Sequence, residues 1–209
     1  MPKKINLFVN YWNPIHKQRR EEIRKAVIDN CNSGLFENVF LIHDKACLKD
    51  IEHDKITWLF LEWRPSFRDI FAHINFYGRN ADANICANTD ITYDESIFRI
   101  FELEHENICL ELSRYEPNGK IENCGEDAWI FFNAVKPHLW AELPLGELGC
   151  DYRITHELRK AGYHVFNPSL DVKSYHVHQS NIRYYSGHKN DWYKGDNWTN
   201  PMSISDLKK

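Results

Sequence analysis

Residues 5–12, INLFVNYW, are apolar at almost every position. A strand open to water on one side alternates apolar with polar side chains, so an almost unbroken run belongs to a strand covered on both faces. This requirement constrains the fold more than any other feature, because it recurs. VFLIHD at 39–44, ITWLFLEW at 56–63 and ANICANTDI at 83–91 are runs of the same kind. Between the first two, Ile23, Ala26, Val27 and Cys31 stand at helical spacing among the charged residues of 17–33. Ser66 with Asp69 three residues on is an N-cap pattern, and it predicts a helix to about Tyr77. Ile97, Ile100 and Phe101 predict another helix after the fourth run. Strand and helix in alternation predict an α/β fold, a mostly parallel central sheet with helices on both faces.

Such a sheet binds ligands beyond the carboxyl ends of its strands, where Asn10, Asp44 and Asp90 fall. The second half is less regular. ICLELSRYE (108–116) and DAWIFF (127–132) read as strands, and the segment after LPLGELGC reads as a helix with Ile154, Leu158 and Ala161 on one face. HVFNPS (164–169) is a further strand, and in VKSYHVHQS (172–180) alternation puts Ser174, His176, His178 and Ser180 on one side. With no repeat and no long linker, 1–180 reads as one domain, followed by a polar, aromatic-rich tail over 181–209.

Composition excludes several classes. The share of hydrophobic residues, 43%, and of charged residues, 27%, fits a folded domain of 209 residues. A net charge of −4 argues against general electrostatic capture of nucleic acid. No run of apolar residues is long enough to span a membrane, and the start of the chain reaches Asn10 and Trp12 too early for a secretory leader. Six cysteines show no C-x-x-C spacing and read as reduced, which predicts a cytoplasmic location.

Four groups of residues carry candidate chemistry. Asp90 at a strand end, beside Asn88 and Thr89, suits a hard divalent cation, although Asx-rich turns also arise with no ligand. His176 and His178 share a strand face and are both possible ligands; equally, one can be a bonded, half-buried histidine and the other an exposed one. Asp151 stands at a helix start behind GELGC, where it can cap the helix or serve as a general base kept ionised by the helix dipole. Glu126 and Asp127 can take the base's part or bind acceptor hydroxyls.

In this order the pieces resemble the GT-A-fold glycosyltransferases, which transfer a sugar from a nucleotide-sugar donor. NTD (88–90) stands in the place of the family's D-x-D, GELGCD (146–151) in that of its glycine loop and x-E-D base, and His176 or His178 in that of its metal-binding histidine. Asn88 brings no charge where the family has a first carboxylate, and Cys150 stands where it has a glutamate. The resemblance implies a GT-A-like three-layer α/β/α sandwich, with a nucleotide-binding half over 1–92 and an acceptor half over 93–180. Asp90 would bind Mn2+ or Mg2+, completed by His176 or His178, and the cation would hold the donor's diphosphate. Asn10 and Tyr11 would meet base or ribose, with Arg68, Asp69 and Asn88 also on the donor side and a UDP-sugar favoured. Asp151 would deprotonate the acceptor hydroxyl, which implies inversion at the anomeric carbon. Glu126, Asp127 and Trp129 would face the acceptor, and Trp140 with Trp129 would form an apolar floor for a sugar.

A glycan is the expected acceptor. The tail also interleaves Arg183, Lys189 and Lys194 with Tyr184, Tyr185, Trp192, Tyr193 and Trp198, a combination that stacks on bases. Glycosylation of hydroxymethylated bases in DNA, as in small virus- or phage-type transferases, is therefore an alternative. A non-catalytic nucleotide-sugar binder and a metal-dependent hydrolase are two others.

Overall fold

The opening apolar run becomes β1 (Ile5–Asn10), buried at every residue but the last. In this computed structural model, which describes residues 2–45, 47–103, 107–122, 125–136, 142–180, 182 and 199–208, β1 is central. It pairs in parallel with β2 (Asn38–His43) on one side and β4 (Ala83–Ala87) on the other. β3 (Ile56–Phe60) extends the parallel sheet beyond β2. Past β4 lie β8 (Ala128–Phe131), β6 (Ile108–Leu112) and β9 (His164–Phe166), giving seven strands in the order β3-β2-β1-β4-β8-β6-β9. Only β8 runs against its neighbours.

Both faces of the central strands are covered, as continuous apolar strands demand, but β3 lies at the sheet edge and leaves Phe60 54% exposed. Ile5, Leu7 and Val9 of β1 share a core with Ile23 and Val27 of α1 (Lys17–Asn32). Phe8 points the other way, into a core with Phe67, Ile70 and Phe71 of α2 (Phe67–Tyr77) and with Ile154 and Leu158 of α3 (Cys150–Lys160). The result is the three-layer α/β/α sandwich read from the sequence. α2 begins as expected, with Ser66 and Asp69 closing a capping box.

A second sheet lies on the α1 side. It joins β5 (Ile91–Tyr93), β10 (Ser174–His176) and β7 (Arg114–Tyr115), with β10 between the other two. Three local expectations change here. The fourth apolar run leaves the main sheet after Ala87: the Asn88 N–H still follows the β8 register to the Asp127 carbonyl at 2.9 Å, and the Ile91 N–H then turns back to the Asn88 carbonyl at 3.4 Å before β5. The run over 108–116 splits at Ser113, whose N–H donates to Ser169 Oγ at 2.9 Å, so that β6 and β7 serve different sheets. The helix through Ile97 and Ile100 is a 3-10 helix (Glu95–Glu102) started by Asp94, whose carboxylate accepts from Ser96 N–H. A last turn, α4 (Ile204–Leu207), buries Ile204 against the α1-side core.

Among the described residues no helix is long and apolar enough to cross a membrane, and Cys31, Cys47, Cys86, Cys109 and Cys150 are unbridged. Cys124, Trp140 and the tail residues Arg183, Tyr184, Tyr185, Lys189, Trp192, Tyr193, Lys194 and Trp198 lie outside the described residues.

Candidate active site

β1 connects to β2 on one side and neighbours β4 on the other, so the strand order reverses at β1 and opens a crevice at the carboxyl ends. A cavity of about 850 Å³ occupies this place. Asn10, Asn88 and Asp90 line it from the strand ends, Asp127 and Asp151 from the second half, and His176 and His178 from β10 and the residues just after it.

Asp90 is buried beneath the cavity. Its backbone carbonyl accepts Val177 N–H at 2.8 Å, which continues the β5–β10 pairing and carries the two flanking histidines to the Asp90 side chain. His176 Nε2 lies 3.0 Å from Asp90 Oδ2, and its ring meets His178 edge-on at 5.0 Å between centroids. Potential ligand atoms of Asp90, His176 and His178 all lie within 4.8 Å of one another. Arg19 of α1 donates to the same Asp90 oxygen. Burial works against the Asp90 charge, yet the contacts with His176 and Arg19 hold its pKa well below the usual carboxylate range.

These residues fit a divalent cation. His176 Nδ1 faces Glu116 Oε2 at 3.0 Å, an outer-shell arrangement that would aim Nε2, which faces Asp90, at a metal shared with that carboxylate. His178 Nε2 is buried and lacks a hydrogen-bond partner among the described residues. Burial, then the positive charge of Arg19, lowers the His178 pKa, which favours the neutral ligand form.

A second group stands at the start of α3. Gly149, at φ +84°, ends the glycine loop in a conformation L side chains rarely adopt, and α3 starts there. Gly149 therefore takes the cap position, and Asp151 sits one residue into the helix with Oδ1 accepting the Tyr152 N–H at 3.0 Å. Burial outweighs the bond from the Tyr152 N–H, and the Asp151 pKa rises to about 6. Neighbouring Glu126 is pushed up to about 9 by burial and then by the charges of Glu111 and Asp151. Gly125 (φ +117°) gives this carboxylate its room: a Cβ there would stand 2.7 Å from Asp151 Oδ2.

A chain of polar contacts leads from the first group toward the second. Arg114 donates to Glu116 at 2.7 Å and to Asp127 at 2.6 Å, and Asp127 accepts from the Asn88 amide. Polar contacts thus run from Asp90 through His176, Glu116 and Arg114 to Asp127. Strand alternation over SRYE does put Arg114 and Glu116 on one side, but nothing local marks them as partners of His176. Arg19, on a charged helix, carries no sequence signal at all.

Not every expected residue reaches the cavity with a free side chain. Arg68 is exposed and paired with Glu142, and Asp69 is committed to capping α2; neither lines the cavity. Tyr11 lines it but is buried, its hydroxyl donating to Asp50 at 2.7 Å. Trp129 also lines it but is fully buried, with its indole N–H on Glu111 at 3.1 Å and its ring edge-on to Phe67. Asn88 is turned to Asp127, not toward Asp90.

No protein-family model matches the chain, and no curated protein is similar to it in sequence. Solved structures do match. GalNAc-T7 with UDP, GalNAc and Mn2+ superposes at TM-score 0.54 and 9% identity over 92% of this chain and 46% of its own. The mannosyltransferase PcManGT from Pyrobaculum calidifontis, in complex with GDP-Man and Mn2+, gives TM-score 0.53 and 9% identity over 85% of this chain and 58% of its own. S. aureus TarS 1–349, in complex with UDP-GlcNAc, gives 0.54 and 10% over 92% and 61%. This chain therefore spans between about half and three fifths of their lengths. At such identities the likeness is one of fold, and the fold is GT-A-like.

Proposed function

We propose that this chain is a metal-dependent glycosyltransferase that moves a sugar from a nucleotide-sugar donor to a glycan hydroxyl, with inversion, in the cytoplasm. The observation that carries the reading is a cluster of Asp90, His176 and His178 in the same switch-point cavity as a carboxylate, Asp151, of raised pKa. A binder needs no such base. The named ligands of GalNAc-T7, PcManGT and TarS agree with a UDP- or GDP-sugar.

Asp90, His176 and His178 would hold Mn2+ or Mg2+, and such a cation would supply charge to offset that of a departing diphosphate. Asn10, Asn88 and Asp127 line the same cavity, and in this reading the first two meet the donor and Asp127 the acceptor. Asp151 accepts the proton of the acceptor hydroxyl. That oxygen bonds to the anomeric carbon as the bond from carbon to diphosphate oxygen breaks, and the electron pair leaves with the diphosphate. A single displacement inverts the centre. Asp151 suits the task because burial brings its pKa near the working pH, where a base is both ionised and able to hold a proton.

A thermal-shift screen of UDP-, GDP-, dTDP- and CMP-sugars, each with and without Mn2+, tests the donor site. Ligand at about 100 times its dissociation constant adds ~2.7 kcal/mol of stability. One nucleotide class is expected to raise the melting temperature only with metal, and no shift from any of them would overturn the reading.

A further inference from the structure

Asp90 already has a cation. Arg19 reaches it from α1 with one nitrogen on Oδ2, while the other nitrogen donates to Glu22 Oε2 at 3.1 Å and to the Val177 carbonyl at 3.3 Å. The side chain lines the cavity and is only 9% exposed, so its charge is poorly screened by water. Glu22 is itself occupied, accepting the N–H groups of Gln179 and Ser180 at 3.0 and 2.6 Å. The guanidinium is thus clamped between α1, the strand-end acid and the segment that carries both histidines.

A divalent ion entering beside His176 and His178 meets a carboxylate that Arg19 has neutralised. Two cations on one carboxylate repel each other at short range in a site of low effective dielectric. A diphosphate brought to the same cavity supplies the missing negative charge and can engage a guanidinium through its planar donor fork. We infer that Arg19 makes divalent-cation binding at Asp90, His176 and His178 conditional on a diphosphate group. Metal alone binds weakly, diphosphate draws the guanidinium away from Asp90, and metal and diphosphate then bind together. By linkage each tightens the other equally. The diphosphate as ligand rests on the transferase reading; the competition between Arg19 and metal rests on the Asp90 contact.

The test is a Mn2+ titration of the full chain, with free metal followed by electron paramagnetic resonance. Wild type, Arg19→Gln and Arg19→Lys are compared alone, with inorganic pyrophosphate, with UDP and with GDP, allowing for metal complexed by the anion in solution. Arg19→Gln keeps donors for Asp90 and drops the charge. Without anion it is expected to bind Mn2+ about tenfold or more tighter than wild type, while Arg19→Lys stays near wild type. Pyrophosphate is expected to tighten Mn2+ binding about tenfold or more in wild type and much less in Arg19→Gln. A purely structural Arg19 would leave metal affinity unchanged or weaker in the folded Gln variant, and that result overturns the inference. Absence of coupling to pyrophosphate in wild type overturns it without any variant. Coupling to pyrophosphate but to neither UDP nor GDP keeps the inference and removes the nucleotide-sugar reading.

Discussion

Glu116 Oε2 stands 3.0 Å from His176 Nδ1, on the far side of the ring from Asp90. The contact orients the imidazole so that Nε2, which faces Asp90, would point at a metal held there. Glu116→Gln is expected to weaken Mn2+ binding about 10–100-fold, the usual effect of removing an outer-shell partner. Isothermal titration calorimetry checks it.

Asp90→Ala removes a candidate ligand and strands a buried charge. Arg19 and His176 both lean on this carboxylate, so the variant is expected to lose Mn2+-dependent donor binding and to be destabilised by about 3–5 kcal/mol. Urea unfolding measures the loss. The sequence alone suggests a milder outcome, because a strand-end side chain supports little core; the burial of Asp90 reverses that expectation.

Asp151→Asn is expected to keep donor binding and lose transfer by a factor of about 10²–10⁴, the range for a general base. The base acts when ionised. With its pKa raised to about 6, wild-type kcat/KM should climb as pH rises through about 6 and then level, a limb the Asn variant lacks. A pH–rate profile of both proteins decides the matter, and full activity in the variant would move the search to Glu126 or Asp127.

Gly125→Ala puts a methyl group 2.7 Å from Asp151 Oδ2 at a backbone φ of +117°. The strain is expected to cost about 1–3 kcal/mol. Because the methyl group displaces the carboxylate, transfer should fall more than donor binding, seen as a drop in kcat with KM for the donor little changed.

Glu126 provides a pH test of stability. Its folded-state pKa, pushed to about 9, exceeds its ordinary value of 4.5, so the native state holds this proton more tightly than the unfolded chain. The stabilisation is complete below about pH 4.5 and is lost as pH rises toward about 9. Glu126→Gln should therefore narrow the fall in melting temperature between neutral and alkaline pH.

The sequence by itself determined the layered frame. β1, β2, β4, α1 and α2 each follow from a pattern within a few residues of their own positions: apolar runs, helical spacing, and a cap at Ser66 closed by Asp69. Asp90 and Asp151 could be picked out in the same way, as acids at the ends of elements. What meets them could not. His176 lies 86 positions from Asp90 and Arg19 lies 71 away, and only the pairing of β5 with β10 and the packing of α1 bring them together. Arg68 and Asp69 appear equally eligible in the sequence, yet helix capping and a surface ion pair hold them away from the cavity. Burial works against the charge of both acids, and the contacts with His176 and Arg19 are what set Asp90 apart from Asp151; burial and contacts alike are properties of the packed molecule, because they depend on what distant parts of the chain bring to a side chain.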